Sequence, residues 1–294
     1  MKLYAPSYYK KFKCTADKCE HSCCVGWEID IDAASLSKYK KLKCGYGAAI
    51  INSIAKDEST HFKLAEGDRC PHLDEHGLCR IITNLGEDYL CDICREHPRF
   101  YNYTSAAELG IGMSCQEAAK IILASPDYAT LEEIGEVDAD ANDAKFDGRR
   151  ERKKIYEILG DSAFSYAKRL EKIYQEYSID IKSDSYWLEI LESLEYLDES
   201  HKSAFMNYSS KHRAHGFDEY SERFLAYFVY RHATEAFSRE DFRARLSFCL
   251  FCERLFASLI HSEKPKDLDE LSVLARIISE EIEYSIDNTF ALTY

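Results

Sequence analysis

The cysteines are the residues of this sequence whose type and spacing indicate chemistry most directly. Twelve occur among 294 residues, and ten precede residue 116, at positions 14, 19, 23, 24, 44, 70, 79, 91, 94 and 115. Thiolates are common protein ligands of zinc and of iron–sulfur clusters. The first 115 residues are therefore predicted to build a cysteine-ligated metal or iron–sulfur site.

Nine of these ten cysteines form two groups, each with enough thiols for a four-ligand site. They are spaced as Cys14-x4-Cys19-x3-Cys23-Cys24 and as Cys70-x8-Cys79-x11-Cys91-x2-Cys94-x20-Cys115. A zinc ribbon usually has two close pairs, whereas here only Cys91-x2-Cys94 has that form. Iron–sulfur clusters tolerate scattered spacing and often have a proline after a ligand, as at Cys70-Pro71. An iron–sulfur cluster is the favoured interpretation, and zinc is the alternative.

A simpler interpretation exists for each cysteine, because reduced cysteine is among the most buried residue types. Cys249 and Cys252 lie in an apolar run of helical character and are predicted to pack in the core, and Cys44 is not predicted as a ligand. Core packing explains poorly the density before residue 116. The side chains of Cys23 and Cys24 diverge in an extended backbone, so one is structural or each serves a different site.

Length and the start of the chain indicate the compartment. A chain of this size can bury a proper core without disulfides. Residues 1–14 contain tyrosines and lysines and lack the apolar stretch of a secretory signal. No run approaches the roughly 20 apolar residues that span a bilayer. We therefore expect a cytoplasmic protein with reduced thiols and no membrane partner.

The formal net charge is −14, and the acidic excess lies after residue 115, since residues 1–115 contain 15 Lys and Arg against 16 Asp and Glu. Such a field repels nucleic-acid phosphates, so no nucleic-acid partner is expected. A protein substrate that presents lysines suits this charge.

Helices are predicted to dominate the second half. Apolar residues recur at steps of three and four along one predicted helix face, at Ile155, Leu159, Ala163, Tyr166, Leu170, Ile173 and Tyr177. Further helices are predicted at about 185–208, 217–237, 239–262 and 267–285, with short connectors that imply antiparallel neighbours. In the first half we predict a half-buried strand over Trp27–Asp32 and a capping box over Ser114–Glu117, which places Cys115 at the first turn of a helix.

The predicted fold class is mainly α, with a loop-rich cysteine-cluster N-terminal half packed with a C-terminal antiparallel helical bundle. Residues 129–148 are acidic and poor in large apolar side chains, which is typical of a linker. The predicted domains are a cysteine-rich metal-binding or iron–sulfur region 1–128, the acidic linker 129–148 and a helical domain 149–294.

Seven short motifs follow one another through the first 124 residues. They are Phe12-Lys-Cys14, Cys19-Glu-His-Ser-Cys23-Cys24-Val-Gly26-Trp27, Cys70-Pro71-His72-Leu73, Gly77-Leu78-Cys79, Leu85-Gly86-Glu87, Cys94-Arg95-Glu96-His97-Pro98-Arg99 and Ser114-Cys115-Gln116-Glu117-Ala118-Ala119. This series, and more loosely Glu281–Ser285, resembles the flagellin lysine-N-methylase family. That family is related to bacterial proteins with a zinc- or iron-chelating cysteine cluster.

The resemblance implies a bacterial cytoplasmic enzyme that methylates the ε-amine of flagellin lysines, with S-adenosylmethionine as donor and a [4Fe-4S] cluster. Carried over position by position, the implied metal ligands are Cys14, Cys19, Cys23, Cys24, Cys70, Cys79, Cys94 and Cys115. Cys91 lies outside the motifs. Arg95 and Arg99 are candidates for binding the carboxylate of the donor, and structural ion pairs are the simpler alternative.

Two departures keep other functions open. The radical S-adenosylmethionine signature Cys-x3-Cys-x2-Cys is absent, and so is the glycine-rich loop of ordinary methyltransferases. No residue can be assigned as the base that deprotonates the lysine. One alternative is a non-catalytic iron–sulfur or zinc-binding protein that transfers electrons or docks a partner. Another is a structural zinc site that orders a loop-rich half.

Overall fold

The structure is a computed structural model, and it describes residues 1–139, 146–214 and 216–294. It confirms the mainly α fold class. Within the described residues the helices are α1 (Ala33–Lys40), α2 (Gly45–Asn52), α3 (Arg80–Leu85), α4 (Asp92–Glu96), α5 (Gln116–Ala124), α6 (Gly148–Leu159), α7 (Tyr166–Glu176), α8 (Asp184–Ser193), α9 (Glu199–Phe205), α10 (Asp218–Phe228), α11 (Arg239–Glu263), α12 (Leu268–Glu283) and α13 (Ile286–Thr293).

A small mixed sheet accompanies the helices. The strands are β1 (Lys2–Pro6), β2 (Ile54–Lys56), β3 (Thr60–Phe62), β4 (Arg99–Tyr103), β5 (Ala107–Ile111) and β6 (Leu131–Glu136). Four of them form one sheet in the order β4-β5-β1-β6, in which β1 is parallel to β5 and antiparallel to β6. The other two, β2 and β3, form a separate antiparallel pair.

The chain divides into two compact units. Lys13–Pro98 form the cysteine unit, and Met1–Phe12 together with Arg99–Tyr294 form the sheet–helix unit. These boundaries lie elsewhere than the predicted divisions at 128 and 149, because β1 pairs with β5 and β6, which both follow residue 98. Part of the predicted acidic linker is β6, and its residues 140–145 lie outside the described residues.

The core of the sheet–helix unit is aromatic. Phe224 and Phe228 of α10 pack with Phe248 and Phe256 of α11, and the rings of Phe224 and Phe256 stack with centroids 4.3 Å apart. After Phe228 the helix continues as a π-helical turn, Val229–Ala233. Cys249 and Cys252 are fully buried in the same core, as predicted. Burial of so many large rings is the main stabilisation available to this unit.

The predicted single helix over residues 155–177 is wrong. The chain forms α6 and α7 with a break after Gly160, and Ser165 starts the second helix by accepting a hydrogen bond from the Lys168 backbone N–H. The apolar face itself is correct except at Ala163, which is exposed in the break. Glycine and a serine N-cap in succession favour this break, because each stabilises a helix end.

Other boundaries also differ from the prediction. The helix predicted at 185–208 is two helices, α8 and α9, and α13 was not predicted. The capping box at Ser114–Glu117 is wrong, because the Ser114 hydroxyl donates instead to the Tyr284 hydroxyl at 3.0 Å. Cys115 is the residue at the N-terminal boundary of α5 and makes no side-chain cap.

The cysteine unit has little regular structure and a small core. Its fully buried apolar residues are Ile29, Ile31, Tyr39, Ile50, Phe62, Cys70, Ile81 and Cys91. The strand predicted over Trp27–Asp32 is wrong as an element, although the burial alternates as expected. Ile29 and Ile31 instead make single backbone hydrogen bonds to Phe62 and Thr60, at 3.1 and 2.7 Å.

Among the described residues, no helix combines the length and the apolar character needed to cross a bilayer.

Candidate metal centre

Five thiols lie in or against the core of the cysteine unit. Cys70 and Cys91 are buried, and three partly buried thiols pack around them, those of Cys24, Cys79 and Cys94. We call these five residues the thiol cluster. Their sequence positions span 71 residues, so the cluster depends on the tertiary fold of the unit.

The backbone holds the segments of the thiol cluster together. The Cys70 N–H donates to the Cys24 carbonyl at 2.8 Å, next to a β-bridge between Val25 and Arg69. Gly26 follows with φ of +94°, a conformation that glycine adopts without steric cost. A further bridge joins Leu73 to Cys79. Local pairing therefore brings residues 24, 70 and 79 close despite their separation in sequence.

Two short helices begin at cysteines of the cluster. Cys79 precedes α3 and Cys91 precedes α4, each in extended backbone at the N-cap position. The unpaired N–H groups of a first helical turn favour negative charge, so thiolates are stabilised there. Cys94 lies one turn further along α4, and its Sγ is 4.0 Å from the Sγ of Cys91.

A shared hydrogen bond shifts the pKa values of Cys91 and Cys94 in opposite directions. The hydrogen bond that they share lowers the pKa of Cys91 and raises that of Cys94 far above its usual range. The Tyr39 hydroxyl, 3.8 Å from the Cys91 Sγ, lowers the pKa of Cys91 further. Cys91 is therefore the thiol of this pair that loses its proton more readily, and Cys94 the one that holds it more firmly.

The other thiols of the cluster have contrasting environments. A hydrogen bond from the Cys23 side chain lowers the pKa of Cys24 to about 7. Burial raises the pKa of Cys70 to about 12 and also raises that of Cys79. Neighbouring thiols add to both increases, because a second negative charge is unfavourable nearby. Deprotonation of all five thiols therefore needs a bound cation to compensate their charge.

His72 fixes the loop beside Cys70. Its imidazole is 3% exposed and contacts the Tyr46 hydroxyl at Nδ1 (2.8 Å) and the Ser53 hydroxyl at Nε2 (2.9 Å). Burial lowers the pKa of His72 to about 4, so the ring is neutral at pH 7. Since both ring nitrogens are already hydrogen-bonded, His72 acts here as a structural anchor.

The remaining cysteines of the first 115 residues are outside the thiol cluster as defined, although the Cys23 side chain hydrogen-bonds that of Cys24. Cys14 and Cys44 are exposed, the Cys19 thiol donates to the His21 carbonyl at 2.9 Å, and the Cys23 carbonyl accepts from the Trp27 indole at 2.7 Å. Cys115 belongs to the sheet–helix unit.

The chemistry of the donor set fits a soft metal, because the cluster offers five sulfur ligands beside few competing carboxylates. The side chains are not in ligating positions. Across residues 1–139, 146–214 and 216–294, no group of three or more His, Cys, Asp or Glu side chains is arranged so that it could hold a metal ion. Binding would require rotation of the thiol side chains around the fixed backbone.

Known proteins similar to this chain come from Salmonella. The lysine-N-methylases of Salmonella typhimurium and Salmonella choleraesuis are each 31% identical to it over 140 residues, which cover 44% of this chain and 34% of theirs. The flagellar biosynthetic protein FliU of Salmonella muenchen is 31% identical over the same length, and this match covers 80% of FliU. The chain belongs to the flagellin lysine-N-methylase family. No family model and no solved structure matches it.

The match spans different shares of the relatives' lengths. The match spans about a third of the length of the lysine-N-methylases, whereas it spans most of FliU. Membership of the flagellin lysine-N-methylase family is thus shown by the FliU match, and a role in flagellar lysine methylation is what the relatives' names indicate.

Four of the eight ligands implied by the family motifs belong to the thiol cluster: Cys24, Cys70, Cys79 and Cys94. The fifth member, Cys91, was not among the predicted ligands. Two features of the sequence could have indicated it. Cys91 has the x2 spacing to Cys94, and the next residue, Asp92, is acidic, as is typical of a first helical turn. A ligand role for the other predicted cysteines stays a prediction.

The two arginines predicted to bind the donor have intramolecular partners. Arg95 pairs with Asp92 one turn earlier on α4, and this carboxylate raises the pKa of Arg95. The Arg99 Nε donates to the Tyr9 hydroxyl at 2.9 Å, and its guanidinium lies 5.7 Å from the centre of the Phe12 ring. Arg95 is in the cysteine unit and Arg99 in the sheet–helix unit. Their role toward a donor stays a prediction.

Proposed function

We propose that this protein is a cytoplasmic protein-lysine N-methyltransferase that acts on flagellin, with S-adenosylmethionine as methyl donor and a cysteine-ligated [4Fe-4S] cluster. The observation that carries the proposal is the match to FliU over 80% of that protein, together with the names of the lysine-N-methylases. The thiol cluster supports the cofactor, because thiolates are the usual protein ligands of iron–sulfur clusters and five thiols lie at one small core.

The residues that would hold the inorganic centre are those of the thiol cluster. Such a cluster, when bound, supplies redox-active iron. The chain's own contribution is the order in which protons leave. Cys91, whose thiolate Cys94 and Tyr39 stabilise, and Cys24, whose pKa is about 7, would lose their protons most readily when the centre is held. Cys70 follows, because its pKa of about 12 makes its proton the harder to displace.

The donor would bring a carboxylate that a guanidinium can bind in a bidentate manner. Arg95 keeps 43% of its side-chain surface exposed while it pairs with Asp92, so it can exchange this partner for a ligand. For Arg99 the exchange would involve the hydroxyl of Tyr9.

Methyl transfer to purified flagellin tests the proposal. Anaerobically prepared protein, flagellin and S-adenosylmethionine with an isotope-labelled methyl group are expected to give labelled lysine side chains, which peptide mass spectrometry locates. Flagellin whose lysines are chemically acetylated is the control, because acetylation removes the nucleophilic amine. Reproducible absence of label with a fully loaded protein would contradict the proposal.

A second candidate is a non-catalytic zinc-binding protein. The observation in its favour is the Cys91–Cys94 sulfur separation of 4.0 Å. Two thiolates on one tetrahedral zinc ion, each at about 2.3 Å, lie roughly 3.8 Å apart, which is close to this value. Colourless protein with stoichiometric zinc and no methyl transfer would establish this second function.

A further inference from the structure

Two carboxylates of α12 each pair with a histidine inside the sheet–helix unit. Glu281 Oε1 lies 2.6 Å from His201 Nδ1, and Glu283 Oε1 lies 2.6 Å from His232 Nε2. Both glutamates are almost completely buried, and both belong to the segment 281–285 that the sequence analysis singled out. The two pairs contain the same residue types but differ in the other contacts of the histidine and the glutamate.

His201 has a carboxylate near each ring nitrogen. Its Nε2 lies 3.9 Å from the Asp198 carboxylate, while Glu281 also accepts the backbone N–H groups of Leu197 and Asp198 at 2.7 and 3.1 Å. The Glu281 side chain therefore fixes the backbone immediately before α9. This pair is explained by its structural role.

His232 is engaged at one nitrogen. A carboxylate can only accept, so Nε2 carries the hydrogen and Nδ1 of the neutral ring carries the lone pair. Within the described residues Nδ1 makes no hydrogen bond. The imidazole keeps 14% of its surface exposed between the rings of Phe228 and Phe248.

The partner of His232 is held rigidly. Glu283 accepts hydrogen bonds from the Tyr227 hydroxyl at 2.9 Å and from the Ser279 hydroxyl, and it forms an ion pair with Arg231 Nε at 3.1 Å. Arg231 also donates to the Tyr227 hydroxyl at 2.9 Å and lies over the Phe100 ring. A carboxylate with this many donors fixes the tautomer and the orientation of the imidazole that it contacts.

The backbone at this position is unusual. Arg231 and His232 are consecutive residues of the π-helical turn, and both reach the same carboxylate. Single π turns are rare and are frequent at functional sites. The π-helical turn is therefore typical of a functional site, and this indication is independent of the side-chain pairing.

We propose that His232 is the general base that deprotonates the lysine ammonium of the substrate, with Glu283 as its positioning residue. This inference rests on the proposed function. In the step, one N–H bond of the ε-ammonium breaks and the proton bonds to His232 Nδ1. The electron pair stays on the amine nitrogen, which becomes nucleophilic, and the proton then passes to solvent.

The charged groups that face His232 suit this role. Burial lowers the pKa of His232, Glu283 acts in the opposite direction, and Arg231 and Arg245 lower it again. The net decrease keeps the ring neutral at pH 7, as a base requires. Burial alone would raise the pKa of Glu283, but Arg231 and His232 outweigh it and lower the pKa, so the carboxylate stays ionised.

The test compares His232→Gln with the matched variant His201→Gln in labelled-methyl transfer to flagellin between pH 7 and pH 10. Loss of a general base is expected to slow His232→Gln about 100-fold or more at pH 7. The defect should shrink toward pH 10, because the lysine amine, with a pKa of about 10.4, then loses its proton unaided. His201→Gln should transfer methyl groups at the wild-type rate.

A binding readout accompanies the kinetics. In protein labelled with ¹³C at histidine Cε1, a lysine-containing flagellin peptide should shift the His232 resonance, and the same peptide with norleucine for lysine should not. His232→Gln that transfers at the wild-type rate, or that is slow to the same extent at every pH, would overturn the inference while wild-type transfer keeps the proposed function. An inactive wild type would instead overturn the proposed function itself.

Discussion

The carboxylate of Glu108 is shielded from water and is paired with arginine side chains. It is fully buried on β5, and it accepts two hydrogen bonds from Arg152 at 2.5 and 2.8 Å. Arg149 adds a third contact at 2.9 Å. Arg152 in turn lies 4.8 Å from the centre of the Tyr230 ring. These contacts connect β5 to α6 through charge rather than through apolar packing.

Arg152→Met is expected to lower the free energy of unfolding by about 3–5 kcal/mol, because it leaves Glu108 buried with one cation fewer. Urea denaturation followed by circular dichroism measures the change. The control is Lys2→Met, which removes the exposed ion pair with Glu133 and should leave stability nearly unchanged. Equal effects of the two substitutions would contradict the structural role given to Arg152.

At this same scale, a metal-binding role of the cysteines stays a prediction, and the sequence motifs indicate only some members of the thiol cluster. Cys24, Cys70, Cys79 and Cys94 were predicted because motifs mark them, and Cys91 was not, because it lies outside those motifs. His232 and Glu283 are 51 residues apart in sequence, and no local pattern indicates that they meet. A general base was therefore beyond prediction from the sequence.

Helix α6 is the element whose position depends most on a single glycine. A Cβ at Gly148, the first residue of α6, would collide with the Thr234 carbonyl and lie 3.1 Å from the Ala233 carbonyl, both at the end of the π-helical turn. Backbone atoms cannot move aside as a flexible side chain can. The start of α6 and the turn that carries His232 are thus in close contact.

Gly148→Ala should destabilise the protein by about 1–3 kcal/mol through this overpacking, although alanine has the higher helix propensity. Gly45→Ala at the first residue of α2 is the matched control, since its Cβ would meet no atom within 4 Å, and it should be neutral or stabilising. Thermal unfolding of the two variants side by side gives the comparison. A stable Gly148→Ala would mean that α6 and the turn are further apart.

Elements with strong periodicity were predicted well, and short ones were not. The apolar pattern of α11 and α12 and the N-cap serine at Ser238 locate these helices correctly. The pattern over residues 155–177 continues through a break, since Tyr166 and Leu170 of α7 are buried as are Ile155 and Leu159 of α6. Periodicity reports burial, and the break at Gly160 depends on backbone conformation, which periodicity does not encode.

At the scale of the whole molecule, the two units differ in how they are stabilised. The sheet–helix unit has a large aromatic core, whereas the cysteine unit of 86 residues buries eight apolar residues completely. Small cores of this size usually need a metal or disulfides in addition. We therefore expect metal binding to contribute folding free energy to the cysteine unit.

Metal removal should act on one unit. After anaerobic treatment with a chelator, amide hydrogen exchange is expected to become faster throughout residues 13–98, while the amides of α10, α11 and α12 keep their protection. Mass spectrometry of peptic fragments resolves the two regions. Uniform loss of protection along the chain, or none in residues 13–98, would contradict this assignment of the metal to the cysteine unit.

Metal analysis of anaerobically purified protein tests most directly whether the thiol cluster binds inorganic atoms. Wild-type protein should contain iron and acid-labile sulfide with a broad visible absorption, and Cys91→Ser and Cys70→Ser should lose most of both. Cys44→Ser, which changes an exposed cysteine outside the cluster, should keep the wild-type content. Wild-type protein without bound metal, or cluster variants that retain it in full, would contradict the assignment.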